Sequence, residues 1–182
     1  DDIIRYGTAH TQEMAITGGV EREDGSSRKA DGSLKKSVIN NIQKKRKSDI
    51  TWLNDRWIYN EIHPYIHQAN KEAGWNFQWD WSESCQFTKY EKGQFYDWHC
   101  DEMGWTRGKR PEDRIRKISF TVPLNDDFEG GEFEIQTTEK NVVQLKKKDV
   151  IIFHADTPHR VKPVTKGVRH SLVGWTQGPP YK

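Results

Sequence analysis

Cysteine is scarce in this sequence, with only Cys85 and Cys100 among 182 residues. Two cysteines are too few for the disulfide framework of a small secreted protein, and reduced thiols are typical of a reducing compartment. No stretch approaches the roughly 20 consecutive apolar residues of a membrane-spanning helix, and the first residues contain no signal-peptide core. These absences predict a soluble protein without membrane association, and we expect a cytoplasmic location.

A large excess of charge of one sign is also missing, because 29 basic residues stand against 27 acidic ones, which gives a net charge of +2. Such a balance gives the chain as a whole no electrostatic case for binding nucleic acid. Two short basic runs, "KKRK" at 44–47 and "KKK" at 146–148, could contact phosphates. Runs of like charge are usually solvated surface, and this is the interpretation that we favour for both runs.

The length of 182 residues fits one domain with one core, and we interpret residues 1–182 as a single domain. Residues 17–36 are rich in glycine, serine and charged residues and contain almost nothing apolar, which predicts a flexible loop. Two interpretations of this loop stay open. It is either a disordered insertion or a lid that becomes ordered over a bound substrate.

One amphipathic helix is predicted where apolar residues recur at three- and four-residue steps from Ile58 to Ala69. Asp55 can act as the N-cap of this helix, and Gly74 ends the pattern. The apolar stripe should pack against a sheet, so we interpret this helix as structural support rather than as part of an active site.

Short strand-like segments follow the helix, and they are separated by Gly, Asp, Asn, Lys or Pro. In "KISFTVPLN", Ile118, Phe120, Val122 and Leu124 share one face of a strand. The other segments are "FQWDWSESCQFTKY", "GEFEIQT", "DVIIFHA", "HRVKPV" and "RHSLVGWTQ". A helix followed by many strands predicts a mainly β, α+β fold: a double-stranded β-helix, the cupin-like jelly roll, with an N-terminal helix layer.

His99 and Asp101 are separated by one residue, so on a strand both side chains point to the same face and can bind one metal ion. A second histidine from a remote strand would complete two histidines and one carboxylate, a ligand set that leaves positions open and suits iron(II). The pair alone is weak evidence, because such triplets often arise by chance. The surroundings strengthen it. His159 opens another strand-like segment, and Arg169 after it can form a two-pronged bond to a carboxylate deep in a barrel.

The segment "YEKGQFYDWHCD" resembles the first metal motif of the prolyl 4-hydroxylase-like 2-oxoglutarate oxygenases. The segment "HRVKPVTKGVRHSLVGW" resembles their second motif, particularly in the bacterial and phage PKHD-type hydroxylases. Between them, "FEGGEFEI" is similar to a hairpin of that family, and "KKDVIIFHADTPH" is similar to the strand that leads to its distal histidine. The resemblance covers residues 85–177, which we interpret as the catalytic jelly-roll core.

The resemblance implies that iron(II) is bound and that 2-oxoglutarate and dioxygen are co-substrates, whereas a need for ascorbate stays open. The iron ligands that it implies are His99, Asp101 and His159. Arg169 is the implied cation for the far carboxylate of 2-oxoglutarate. The other implied residues are Tyr90 and Ser171 beside that carboxylate, Trp175 near the metal, and Tyr96 at the substrate mouth.

Two departures from the family pattern concern the substrate. Prolyl 4-hydroxylases proper often have lysine where this chain has Arg169, so the arginine resembles the PKHD-type and oxygen-sensor branches and does not fix the substrate. The strand on which prolyl hydroxylases carry a substrate-contacting arginine offers Arg114, Arg116 and Lys117 here. The sequence alone does not distinguish among these three residues, and we take Arg116 as the candidate for substrate contact.

The function that the resemblance implies is hydroxylation of a protein or peptide, with prolyl residues as the first candidate, coupled to conversion of 2-oxoglutarate to succinate. Two alternatives stay open. One is a 2-oxoglutarate oxygenase that acts on nucleic acid, with the basic runs as its footprint. The other is a non-catalytic cupin-like module that only binds a metal, which would leave Arg169 and Tyr90 unexplained. The sequence does not predict the oligomeric state.

Overall fold

The structure is a computed structural model that describes residues 2–10, 12–16, 27–102, 114–138 and 140–181. The helices of these residues are α1 (Asp2–Ala9), α2 (Lys36–Lys45) and α3 (Arg56–Glu72). The strands are β1 (Glu13–Met14), β2 (Arg46–Lys47), β3 (Asp49–Leu53), β4 (Trp81–Ser82), β5 (Cys85–Tyr90), β6 (Phe95–His99), β7 (Ile115–Pro123), β8 (Glu129–Gly130), β9 (Phe133–Gln136), β10 (Lys140–Val143), β11 (Ile151–His154), β12 (His159–Val161), β13 (Val164–Lys166) and β14 (Arg169–Gly178).

Two antiparallel sheets form the framework. The larger one, the main sheet, has the order β1-β3-β5-β14-β7-β11, and β4 also pairs with β14. The smaller one, the minor sheet, has the order β10-β9-β12-β6-β2, and β13 and β8 form a separate pair. Apart from the consecutive pair β9 and β10, strands that are neighbours in space are not consecutive in the chain, so the two sheets are interleaved along the chain as in a jelly roll.

Helix α3 covers the outer face of the main sheet. Ile58, Ile62 and Ile66 lie on one side of the helix and are buried against sheet residues such as Phe87 and Leu172. Full burial of each isoleucine contributes about 2 kcal/mol to the free energy of unfolding. Helix α1 adds Ile3, Ile4 and Tyr6 to the same cluster, which forms the predicted helix layer.

The start of α3 differs in one detail from the expected capping. Asp55 is the N-cap by its backbone conformation, but its side chain forms no capping hydrogen bond. The carboxylate instead accepts a hydrogen bond of 2.8 Å from the Tyr6 hydroxyl. Asp55 therefore ties α1 to the start of α3.

Strand alternation directs one set of side chains to the helices and the other to the space between the sheets. On β14, Leu172 belongs to the helix-side cluster, whereas Arg169, Ser171 and Trp175 line a cavity between the sheets. Gly174 lies on the helix side, where an added Cβ would be 2.5 Å from Phe120 Cζ. The close approach of Phe120 explains why a glycine is needed at this point of the strand.

A second apolar cluster lies between the two sheets. Tyr90 and Phe153 come from the main sheet, and Phe133, Ile135 and Val161 come from the minor sheet. This cluster holds the two sheets together, and Tyr90, Phe133, Phe153 and Val161 also form part of the wall of the space between them. The remaining space is the cavity that carries the candidate site.

The basic run at 44–47 is only partly exposed, in contrast to its interpretation as solvated surface. Lys44 and Lys45 end α2 and are exposed, as is Lys47, but Arg46 is only 5% exposed. The interpretation of this run as solvated surface is therefore wrong for Arg46. The cause is the short strand β2, which pairs with β6 and places the Arg46 side chain inside the molecule. The second run, at 146–148, lies in a surface turn.

The predicted loop at 17–36 is described only from residue 27 onward. Arg28 and Leu34 form an isolated backbone bridge, closed by a hydrogen bond of 2.8 Å from the Lys29 amide to the Ser33 carbonyl. This part of the segment is a tight turn, and flexibility of the loop stays a prediction. Residues 17–26 lie outside the described residues. In the described part of the chain, no helix combines the length and the apolar character that crossing a membrane requires.

Candidate active site

His99, Asp101 and His159 meet at one place between the sheets. His99 ends β6 and His159 begins β12, and the two residues are directly paired in the minor sheet. Asp101 follows His99 by two residues, and its backbone amide is held at 3.0 Å by the Ala155 carbonyl. One ligand atom from each residue lies within 4.8 Å of the others. The separations are 3.6 Å from His99 Nε2 and 3.5 Å from His159 Nε2 to the two Asp101 carboxylate oxygens.

Backbone carbonyls orient both imidazole rings. His99 Nδ1 lies 2.8 Å from the Asp97 carbonyl, and His159 Nδ1 lies 2.9 Å from the Thr157 carbonyl. A carbonyl oxygen only accepts hydrogen bonds, so each Nδ1 carries the proton and donates it. In the neutral ring Nε2 is then the unprotonated nitrogen, which is the tautomer that binds a metal ion.

The protonation states also favour a cation. Burial lowers the pKa of His99 to about 3, and the neighbouring His159 adds to this effect. Burial opposes ionisation of Asp101, but the imidazoles of His159 and His99 and the Ser119 hydroxyl lower the pKa of Asp101 below its ordinary value. Ser119 Oγ donates a hydrogen bond of 2.7 Å to Asp101 Oδ2. The result is a neutral His99 imidazole beside an ionised carboxylate.

This donor set fits iron(II). Two imidazole nitrogens and one carboxylate oxygen on one side of an ion leave the opposite positions open, as in non-haem iron(II) oxygenases. A structural zinc site would normally have four protein ligands, and among the described residues the cluster has three.

A buried arginine lies deeper in the same cavity. Arg169 begins β14 opposite Tyr90 of β5 and is only 2% exposed. Its Nη1 donates a hydrogen bond of 3.0 Å to Ser171 Oγ, and its Cζ is 5.5 Å from the centre of the Tyr90 ring. No carboxylate among the described residues forms an ion pair with it. Burial lowers the pKa of Arg169, because a desolvated charge without a counter-charge is unfavourable. A carboxylate ligand would supply the missing counter-charge.

The cavity itself has a volume of about 270 Å³. Its inner wall includes Phe133, Phe153 and Val161, which are apolar and exclude water. The predicted residues that line it are Tyr90, Tyr96, His99, Asp101, Arg116, His159, Arg169, Ser171 and Trp175. The structure thus brings the predicted metal, co-substrate and substrate residues to one cavity, with Arg116 as the candidate from its strand.

Aromatic residues surround the metal candidate on its outer side. The Tyr96 ring stacks on the His99 ring, with centroids 3.4 Å apart, and burial raises the pKa of Tyr96 to about 12. Trp175 is buried, whereas Trp52 is 47% exposed, and their ring centroids are 6.3 Å apart. The two tryptophans mark the mouth of the cavity.

Arg116 is the residue of its strand that lines the cavity, among the three that the sequence left open. Its Nε and Nη2 donate to the two carboxylate oxygens of Glu83 at 2.5 and 2.6 Å, and its Nη1 donates to the Asp101 carbonyl at 3.2 Å. Its Cζ lies 4.1 Å from the Trp175 ring centre. Arg114 pairs with Asp80 at the surface instead, and Lys117 lies over the Tyr181 ring. A role of Arg116 in substrate contact stays a prediction.

Arg46 and Gln86 are lining residues that the sequence interpretation missed. Arg46 Nη2 donates a hydrogen bond of 2.6 Å to Gln86 Oε1, and Arg46 Nε donates one of 2.8 Å to Ser48 Oγ. The available signal was the alternation of "RKSDITWL", in which Arg46, Ser48 and Ile50 share a face. The basic run hid this alternation.

The comparisons with known proteins agree with this geometry. A sequence model of the 2OG-Fe(II) oxygenase superfamily matches residues 85–177. A PKHD-type hydroxylase of Idiomarina loihiensis is 36% identical over 92 residues, which cover 49% of this chain and 39% of that protein. The match therefore spans less than half of the relative's own length.

Solved structures share the fold. A prolyl hydroxylase of Trichoplax adhaerens, in complex with a peptide fragment of the hypoxia inducible factor oxygen degradation domain, has a TM-score of 0.61 at 15% identity and covers 96% of this chain and 73% of its own. A viral collagen prolyl hydroxylase from Paramecium Bursaria Chlorella virus-1, in a 2OG complex, has a TM-score of 0.60 at 18% identity and covers 94% of this chain and 98% of its own. The predicted jelly-roll fold is confirmed.

Proposed function

This chain belongs to the 2OG-Fe(II) oxygenase superfamily, and we propose that it is an iron(II)- and 2-oxoglutarate-dependent dioxygenase that hydroxylates a peptide. A prolyl residue is the first candidate target. The observation that carries the proposal is one cavity that contains both a triad of two histidines and a carboxylate and a buried arginine without a counter-charge. The similarity to PKHD-type and prolyl hydroxylases supports the substrate class.

His99, Asp101 and His159 would hold the iron. When bound, iron(II) supplies the activation of dioxygen that couples decarboxylation of 2-oxoglutarate to oxidation of a carbon–hydrogen bond. The protein's part is to fix the ligand atoms. The Asp97 and Thr157 carbonyls hold the two rings, and the Ser119 hydroxyl holds the carboxylate. This support keeps the three donors in place before a metal binds.

Arg169, Ser171 and Tyr90 would bind the far carboxylate of 2-oxoglutarate. A guanidinium offers parallel N–H donors that match a carboxylate, and the Ser171 hydroxyl next to Arg169 can add a further hydrogen bond. The apolar wall of Phe133, Phe153 and Val161 lowers the local dielectric constant, which strengthens this ion pair and excludes water.

The two alternative functions receive less support. The run at 44–47 is a poor phosphate-binding footprint, because one of its four cations is turned into the cavity. A non-catalytic metal-binding module would not need a buried Arg169, whose desolvation is costly unless a ligand compensates it.

Turnover of 2-oxoglutarate with a peptide tests the proposal. The protein is incubated with iron(II), 2-oxoglutarate and air, with and without a blocked proline-containing peptide, and succinate is quantified. We expect succinate formation to rise with the peptide and the peptide to gain one oxygen atom by mass spectrometry. Repeating the assay without ascorbate tests whether that reductant is needed. No increase with any proline peptide would overturn the prolyl assignment, and no succinate under any condition would overturn the enzyme assignment.

A further inference from the structure

Arg46 is a second buried guanidinium in the cavity, and it is held in a fixed position. It is 5% exposed, and its hydrogen bonds go to the neutral side chains of Ser48 and Gln86. Its Cζ lies 4.4 Å from the Tyr96 ring centre, so the guanidinium stacks on the same ring that stacks on His99. Nη1 of Arg46 forms no hydrogen bond with the residues that the structure describes, and no described carboxylate forms an ion pair with Arg46. An arginine in this state is a preorganised anion site.

Among the residues that the structure describes, the charges that line the cavity sum to one positive charge once the ion pair of Arg116 with Glu83 is counted. Its charged lining residues are Arg46, Asp101, Arg116 and Arg169. Glu83 neutralises Arg116 through a two-pronged ion pair. Asp101 and Arg169 carry single charges of opposite sign, which cancel. The charges of iron(II) and 2-oxoglutarate also cancel each other, so the net charge of the cavity stays the same when both bind. The positive charge of Arg46 therefore has no counter-charge among these groups. The substrate that is oxidised is the one component of the reaction that could supply it.

The position of Arg46 separates it from the 2-oxoglutarate end of the cavity. Its partner Gln86 precedes Tyr90, the neighbour of Arg169, by four residues on β5, about 13 Å along an extended strand. Gln86 is paired with Val173 of β14, between Ser171 and the mouth residue Trp175. Arg46 therefore faces the outer part of the cavity, where a substrate would approach the metal candidate.

We propose that Arg46, oriented by Gln86 and Ser48, binds a carboxylate of the substrate that is oxidised. The inference rests on the proposed function and narrows its substrate class to anionic peptides. A carboxylate carries one negative charge and matches the single excess charge, whereas a phosphate monoester carries nearly two. The carboxylate comes from one of two sources: an acidic side chain beside the target residue, or the free carboxyl end of a peptide.

The test compares peptides that differ only in this charge. The probes are a blocked Gly-Gly-Pro-Gly-Gly, the same peptide with Asp directly before or after the proline, and Gly-Gly-Pro with a free carboxyl end. Their affinities are measured by anaerobic calorimetry on the protein loaded with iron(II) and 2-oxoglutarate. We expect at least one carboxylate probe to bind about tenfold or more tightly than the neutral peptide, since a charged hydrogen bond in a dry site has this strength. The Asp probes and the free-end probe distinguish the two sources.

Variants assign the effect to Arg46. We expect Arg46→Gln to remove the preference for the carboxylate probe and Arg46→Lys to retain part of it. Lys47→Gln removes the same charge from the adjacent exposed position and should leave the preference unchanged. The wild-type comparison of neutral and anionic peptides stands on its own even if Arg46→Gln folds poorly.

The outcomes separate this inference from the proposed function. A visible absorption band on addition of 2-oxoglutarate to the iron-loaded protein shows that the cofactor site works. If that band appears but the wild type binds neutral and carboxylate probes equally, the Arg46 proposal is overturned while the proposed function stands. If the band appears but none of the peptides binds, the Arg46 proposal is overturned together with the peptide as the substrate class. Retention of the preference by Arg46→Gln, or tight binding of a single-stranded oligonucleotide in place of the peptides, also overturns the Arg46 proposal. Absence of the band counts against the proposed function itself.

Discussion

At the scale of single residues, two serines on the inner face of the main sheet support different parts of the site. Ser119 donates to Asp101, whereas Ser171 accepts from Arg169. Both serines are at most 1% exposed and both are in central strands of the main sheet, so their removal has a similar structural cost. They differ in the ligand that each supports. This difference makes the two serines matched probes of the metal and co-substrate ends of the cavity.

We expect Ser119→Ala to weaken iron(II) binding by about 10- to 100-fold, because the metal-ligating carboxylate loses the hydrogen bond that orients it. Ser171→Ala is the matched control and should leave iron binding nearly unchanged while weakening 2-oxoglutarate binding. Anaerobic titrations of each variant with iron(II), and then with 2-oxoglutarate, measure both affinities. Equal effects of the two substitutions on iron binding would contradict the division of tasks.

Arg169→Ala should weaken 2-oxoglutarate binding by about 100-fold, since a buried charge-assisted pair is lost, and should change iron(II) affinity much less. Arg169→Lys keeps the charge but loses the parallel donors, so an intermediate effect is expected. The dependence of succinate formation on 2-oxoglutarate concentration, with separate titration of iron, provides the measurement. A similar loss of affinity for both ligands would count against the assigned role.

At the scale of elements, α3 serves as support for the sheet that carries the site. It contacts the outer face of the main sheet, while the site residues point from the inner face. Its function is thus indirect, through the stability of β5, β7 and β14.

We expect Ile66→Ala to lower the free energy of unfolding by about 2–5 kcal/mol, because this side chain is fully buried and its removal leaves a cavity. Tyr65→Ala on the same helix is the control. Tyr65 is 54% exposed, and its loss should cost about 0.5 kcal/mol or less. Urea unfolding of both variants measures the difference. A small effect of Ile66→Ala would show that α3 is not needed for the sheet.

The sequence predicted α3 and the long strands because their patterns are strong. Ile118, Phe120 and Leu124 lie in the helix-side core as the alternation in "KISFTVPLN" indicates, and Val122 packs against it. The two-residue strands β1, β2, β4 and β8 are too short to produce an alternating pattern of their own. The sequence therefore did not predict that Arg46 is buried, because the basic run indicated solvated surface and β2 forms only through its pairing with β6. The triad could be predicted because its ligands have fixed chemistry, whereas the contacts of Arg46 depend on how two sheets meet.

At the scale of the whole molecule, the cavity is built from two parts of the chain. The residues proposed to bind iron and 2-oxoglutarate lie within 85–177, the segment that matches the superfamily. Arg46 and Trp52 of the outer part come from β2 and β3, which precede that segment. The shared chemistry and the substrate selection are therefore assigned to different portions of the chain, although β2 and β3 are paired into the same two sheets.

Acid should destabilise the metal-free protein. The pKa of His99 is lowered to about 3, and burial also lowers the pKa of His63 and of His170. Between pH 6.5 and 3 the unfolded chain therefore binds protons that the native protein does not, so stability falls as the pH falls through this range. His99 alone accounts for a loss of about 2 kcal/mol between pH 7.5 and 5. Urea unfolding at both pH values measures it, and equal stability would contradict the buried neutral state of His99.

The measurement that tests the central claim most directly is an anaerobic visible-absorption titration of the protein with iron(II) and then 2-oxoglutarate. Chelation of the keto acid to iron held by two histidines and a carboxylate should produce a broad charge-transfer band in the wild type. Asp101→Ala should lose that band while circular dichroism shows that it remains folded. A folded wild type without the band, or the same band in Asp101→Ala, would contradict the assignment of His99, Asp101 and His159 as the iron site.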